Sequence, residues 1–339
     1  MTNGQENTST SQKEAKRTSR QARRARQRPK WEFDPAGLEP DLYDIPWGHR
    51  VAMLAVVGLP MVGLVIAIIC LWQYGWMGWP FLAMLIGGWL LTGMGITIGF
   101  HRLLTHNSFA TFRPIRAFWT IAGALAIEGS PLVWCAVHRR HHEKSDHQGD
   151  PHSPLLHGSS ILGMFKGLVH AHFGWLFTKY SAQPNLLRYV PDLVNDRLLI
   201  SMDRAYYIWI LLSLAIPTAI GAAITQSWYG AAMGFLWGGA VRIFVTHHIT
   251  WSINSICHVF GKRHFHTTDN SRNNSVFGIL AMGEGWHNNH HAFPTSARHG
   301  LLWWQFDLSW IVIRAMEKLG LAWDVVLPSR RVLEKRRLY

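Results

Sequence analysis

Charge is missing from this chain in two long stretches. No Asp, Glu, Lys or Arg occurs between Val51 and Phe100, and none between Ala205 and Val241. Only 16% of the 339 residues are charged against 48% hydrophobic, with 18 tryptophans, which excludes an ordinary soluble domain. Cysteine is scarce as well. Cys70, Cys135 and Cys257 are too few and too scattered for a disulfide framework or a thiolate metal site. There is no Gly-rich phosphate loop, no internal repeat, and no H-E-x-x-H of a metalloprotease. The first apolar run begins only at residue 51 and is too long for a signal peptide.

The uncharged stretches are what a membrane requires. A span takes about 20 apolar residues. The first stretch, broken near Gln73–Gly75, predicts spans over 51–72 and 77–99. The second, broken near Thr225–Ser227, predicts spans over 206–224 and 228–245, with Arg242 snorkelling or already outside the lipid. The expected fold is all-α: four transmembrane helices in two hairpins, with a helical cap on one side. Residues 1–45 read as a disordered basic tail, 46–326 as the membrane domain and 327–339 as a basic C-terminal tail. Residues 11–30 hold nine Lys/Arg and one acid, and the net charge is +13. Because the hairpin tips are uncharged, the positive-inside rule places both termini and the central segment in the cytoplasm. Beside four spans the basic tail suits anionic lipid and not nucleic acid.

Histidine is abundant where charge is not missing. All twenty lie outside Val51–Phe100 and Phe173–Thr246. His101 and His106 close the second span in HRLLTH. His138, His141 and His142 follow in HRRHH, at helical offsets 0, 3 and 4, which share one face. WSINSICH sets Asn254 one turn before His258, and HNNHH repeats the triad with His287, His290 and His291. In the topology above every one of these lies on the cytoplasmic side. Neutral imidazoles suit iron and other first-row metals, zinc included. Nine are too many for one ion and enough for two. Each triad can turn one imidazole to one metal and its neighbour to the other. Soluble di-iron proteins pair Glu-x-x-His motifs, whereas here Glu284–His287 has no partner motif, so Glu284 reads as support behind a ligand or a helix start. Two redox irons facing a membrane suit attack on unactivated C–H bonds of a lipid tail.

HRLLTH, HRRHH and GEGWHNNHHAFP resemble the three histidine boxes of the membrane fatty-acid desaturases, and WSINSICH resembles their Asn-containing ligand segment. The likeness is strongest to the stearoyl-type delta-9 branch in its bacterial form, and runs from about Pro46 through LGLAWDVV. It implies that His141, His258, His287 and His291 hold one iron, with Asn254 acting through water. It likewise implies that His101, His106, His138, His142 and His290 hold the other. Asp146, Asp150, His152, Glu284 and Trp175 are expected beside the ligands, and Trp134, Trp237 and Trp251 along an acyl tunnel. The implied reaction is oxygen-dependent desaturation of a fatty acyl thioester or glycerolipid, with electrons from a separate ferredoxin- or cytochrome b5-like donor. Ala136–Val137 depart from the Arg-Asp of the animal acyl-CoA enzymes, which leaves the acyl carrier open. His247 and His248 have no expected role. A lipid hydroxylase on the same scaffold and a metal-binding membrane carrier are the alternative readings.

Overall fold

The computed structural model describes residues 45–181 and 184–338, all within the compact unit Pro40–Tyr339. The basic tail expected over 1–45 lies, but for its last position, outside the described residues.

Helix α1 (Trp47–Tyr74) follows Pro46 and ends at Gly75, whose φ of 77° suits a residue without a Cβ. Helix α2 spans Trp79–Thr105. Helices α3 (Arg113–Ala124) and α4 (Pro131–Lys144) follow, each with proline in its first turn. Next come α5 (Ile161–His172), α6 (Arg197–Arg204) and α7 (Tyr206–Thr225). Helices α1, α2 and α7 are long and apolar enough to cross a membrane. Their outer flanks fit that environment, because Leu59, Ile68, Trp72, Tyr207 and Leu211 stand exposed there.

A fourth helical run is built differently. Helix α8 (Trp228–Met233) passes through wide π-type turns at Gly234–Val241 into α9 (Arg242–Ser255). Gly221 of α7 lets the two backbones touch, since a Cβ there would stand 2.1 Å from the Gly230 carbonyl oxygen. Arg242 does not snorkel. It is buried, and it donates to the carbonyls of Gly238, Leu125 and Ser213 and to the Ser213 hydroxyl. Backbone oxygens inside the protein substitute for the water that a snorkelling arginine seeks.

The other helices of the described residues are α3–α6 together with α10 (Ser275–Leu280), α11 (His287–Ala292), α12 (Leu308–Lys318) and α13 (Arg330–Arg336). Strands β1 (Ala110–Thr111) and β2 (Ala322–Trp323) pair antiparallel and tie the end of the chain to the exit of α2. Helix α13 is fastened by the Leu338 amide on the His264 carbonyl and by Arg336 on the Ala292 carbonyl.

Candidate metal centre

Two local features bring the first box into the site. The last eleven residues of α2, Gly95–Thr105, are wound as a π-helix, in which hydrogen bonds run from i to i+5. The His106 amide accordingly donates to the His101 carbonyl. On an α-helix, residues five apart diverge widely. The wider winding brings the two imidazoles to one side, with ring centres 4.9 Å apart. Close packing against α3 accompanies it, since a Cβ on Gly99 would stand 2.5 Å from the Trp119 carbonyl oxygen.

Helices α4 and α11 supply the triads. The short α11 is held by its own asparagines. Asn288 accepts from the His264 and Phe265 amides and donates to the Phe265 carbonyl. Asn289 donates to the His299 carbonyl and Gln305. Trp286, just before the helix, donates from its indole to the Phe306 carbonyl.

The nine histidines fall into two groups. His101, His106, His138, His142 and His290 bring one ring nitrogen each within 4.8 Å of one another, and so do His141, His258, His287 and His291. The i,i+4 pairs His138/His142 and His287/His291 stay together, while His141 and His290 turn to the opposite group. The groups adjoin where His142 stacks on His291, ring centres 4.5 Å apart.

Carboxylates fix the outward-facing nitrogens. Nδ1 of His141 lies 2.9 Å from Asp150, Nδ1 of His258 3.0 Å from Asp146, Nδ1 of His291 2.8 Å from Asp269, and Nδ1 of His101 2.6 Å from Glu284. A proton held at Nδ1 leaves Nε2 as a bare lone pair. On the inner side, ring nitrogens crowd against one another. Nε2 of His101 and His290 approach to 3.0 Å, those of His142 and His290 to 2.8 Å, and those of His258 and His287 to 3.0 Å. Nε2 of His106, His141 and His291 is buried with no protein partner. Crowded, unsatisfied nitrogens of this kind are costly unless a cation sits among them. Both groups therefore fit a metal ion, and an all-nitrogen set suits iron or zinc.

Burial, followed by repulsion from neighbouring histidines, holds His106, His138, His142, His287, His290 and His291 well below the usual imidazole range, so they are neutral and ready to ligate. His141 goes the other way, because Asp150 outweighs its burial. Burial would raise Glu284, but His101, His299 and Arg102 together hold its carboxyl well below the carboxylate range.

Several of these partners carry no sequence signal. Asp269 lies in an irregular loop. His299 sits 3.2 Å from Glu284, with its ring 4.5 Å from that of His290. Arg102, fully buried, bridges Glu284 and Asp307 and donates to the Ala297 carbonyl.

Of the other residues picked from the sequence, His152 packs on His141, and Trp175 lies edge-on to His152. Trp134 stacks on His138 and, with Asn254 and Thr250, lines both a small pocket of about 50 Å³ at the histidines and a cavity of about 520 Å³ beside it. Trp251 lines the larger one. Trp237 is not at the centre: it is buried among Ala67, Met77 and Phe81 in the membrane part. His247 lies 2.9 Å from the Ala126 carbonyl, and His248 pairs with His172 at 2.8 Å.

The family model for fatty acid desaturase matches residues 74–326. Hex-5-enoyl-[acyl-carrier protein] acetylenase of Moorena producens (strain JHB) is 45% identical over 83% of this chain and 87% of its own length. The sn-1 stearoyl-lipid 9-desaturase of Anabaena variabilis is 37% identical over 72% of this chain and 82% of its own. An acyl-CoA C20 Delta5-desaturase of Anemone leveillei is 35% identical, covering 80% and 81%.

Proposed function

This chain belongs to the fatty acid desaturase family, and from that premise we propose that it removes two hydrogens from adjacent carbons of a saturated fatty acyl chain, leaving a cis double bond. Oxygen is the oxidant and is reduced to two waters, taking up the two hydrogens from the chain together with two protons and with two electrons from a separate ferredoxin- or cytochrome b5-like protein. The observation that carries the reading is the meeting of two histidine groups at the end of a cavity walled by Trp134, Thr250 and Asn254.

His101, His106, His138, His142 and His290 would hold one iron, and His141, His258, His287 and His291 the other, with Asn254 assisting through water. Bound there, iron supplies the oxygen chemistry that strong, unpolarised C–H bonds demand. The chain does the rest. Asp146, Asp150, Asp269 and Glu284 keep protons on Nδ1 and orient the rings. Trp134, stacked on His138, narrows the approach so that a methylene pair lies against the histidines and water is kept out.

The run from Trp228 to Ser255 serves as a fourth crossing in this reading, with both termini and the centre on the cytoplasmic side. A delta-9 bond position is the finer reading. The 9-desaturase activity of the Anabaena relative supports it, while the Moorena and Anemone relatives carry other positions.

The test is a fatty-acid profile by gas chromatography and mass spectrometry, in a host without its own aerobic desaturase and with a supplied electron donor. A new monounsaturated acid is expected, and derivatisation locates the bond. A hydroxylated acid in its place would move the protein to the hydroxylases. No oxidised lipid, from protein with both irons in place and a donor shown to reduce them, would remove the reading.

A further inference from the structure

Three features remain unused by the reaction: the buried Arg242, the buried His247, and an isoleucine in a backbone conformation that isoleucine avoids. Ile127 has φ of 62°, and a β-branched residue there is a genuine, strained outlier. The three belong together. The turn at Leu125–Gly129 is held from two helices. Ser213 of α7 and Arg242 of α9 both donate to the Leu125 carbonyl, at 2.7 and 2.9 Å. His247 meets the Ala126 carbonyl at 2.9 Å, and the Gly129 amide donates to the Tyr206 hydroxyl at 2.9 Å. That scaffolding forces Ile127 into its position.

The position has a meaning in space. Ile127 lines the 520 Å³ cavity that reaches His138 and Asn254, and it also lines an apolar cavity of about 1160 Å³ between α1 and the α7–α8 hairpin. Ala52 and Val56 of α1 and Ile210 of α7 line both as well. These four side chains form the neck between the two spaces. The outer cavity is bounded by Leu59, Val62 and Ile66, which stand exposed on the flank of a membrane-crossing helix and so face lipid. A route thus leads from the bilayer to the histidines past the four shared side chains, one of which is the strained Ile127.

We propose that the acyl chain of a membrane glycerolipid reaches the histidine centre sideways from the bilayer, through the neck at Ile127 between α1 and α7. This rests on the acyl-desaturase reading and names its substrate class. Continuity decides the occupant: the outer cavity has no charged side chain in its lining and opens where lipid tails are the solvent. Glu128, a charge-bearing group, lines only the inner side of the neck.

The test uses the iron-loaded full chain in phosphatidylcholine vesicles that carry a saturated acyl chain with a diazirine, and mass spectrometry maps the photolabel. Labels are expected at the outer wall, at the neck and beside Trp134. Ala52→Trp and Ile210→Trp, on different helices, should each abolish the label beside Trp134 and lower desaturation of vesicle lipid at least tenfold while both irons are retained. Labels confined to the outer flank, as for lipid that merely coats the protein, would overturn the proposal. So would an undiminished inner label in both variants, or desaturation of a soluble acyl thioester but never of vesicle phosphatidylcholine. If no substrate gains a double bond while the neck is labelled and both variants clear the inner label, the passage stands and the desaturase reading fails.

Discussion

Replacing Asp150 by asparagine changes one atom type and tests how the centre is built. Asp150 is fully buried and accepts on both oxygens. One takes the His141 Nδ1 proton at 2.9 Å and the His152 amide at 3.1 Å; the other takes the Asp146 amide at 2.8 Å. An asparagine offers one oxygen and one NH2, so it must set a donor against a donor on one side. If its oxygen faces His141, the Asp146 amide is orphaned in the interior, at a cost of about 1–3 kcal/mol. If its NH2 faces His141, the imidazole must move its proton to Nε2, and that nitrogen is lost as a ligand. The removed charge weakens the ligand in either case. Loss of such a partner typically lowers metal affinity by about 10–100-fold. Competitive titration of the purified protein with a chelator should show the four-histidine group weakened by that factor and the five-histidine group near its wild-type affinity. The melting temperature of the metal-free protein should also fall. Wild-type affinity at both sites, with an unchanged melting temperature, would refute the argument.

Glu284→Gln should reverse the asymmetry, because Glu284 supports His101 and not the other group. Affinity at the five-histidine site should drop about 10–100-fold, with the other site spared, in the same titration. Asn288→Ala removes the acceptor for two amides and the donor to one carbonyl, so a loss of about 2–5 kcal/mol is expected, read by thermal unfolding with iron content measured alongside. Glu128 gives a pH dependence. Burial, only partly offset by Thr250 and Trp134, pushes its carboxyl up from 4.5 to about 8. The folded state therefore keeps a proton that the unfolded state releases, so this group's stabilisation is full below about pH 4.5 and is lost as pH rises through about 8. Glu128→Gln should flatten the decline in melting temperature between pH 5 and 9, and an identical profile in both proteins would count against a buried, protonated Glu128.

What could be read in advance follows from how local each signal is. The HRRHH and HNNHH triads obey helical periodicity, so their shared faces follow from spacing, while their division between two groups came from the resemblance to the desaturases. HRLLTH does not obey it: a spacing of five closes only on the π-wound end of α2, and the wider winding there packs against α3 through Gly95 and Gly99. The three expected spans that match α1, α2 and α7 are uniformly apolar. The snorkelling expected of Arg242 was misjudged because its buried acceptors include the Ser213 carbonyl of α7 and the Leu125 carbonyl, in a turn more than a hundred residues earlier. Asp269 and His299 escaped notice for the same reason, as partners brought by folding and by no motif. Trp237 lies away from the cavity at the histidines, against α1 and α2, where it lines the outer apolar cavity of about 1160 Å³.

The central claim is that two separate histidine groups hold two irons. Iron per polypeptide, measured by mass spectrometry on anaerobically loaded protein in detergent, tests it most directly when wild type is compared with His290→Ala. Two irons in the wild type and close to one in the variant, with the remaining ion still bound by His141, His258, His287 and His291, is the predicted result. One iron in the wild type, or two tightly held irons in His290→Ala, would contradict it.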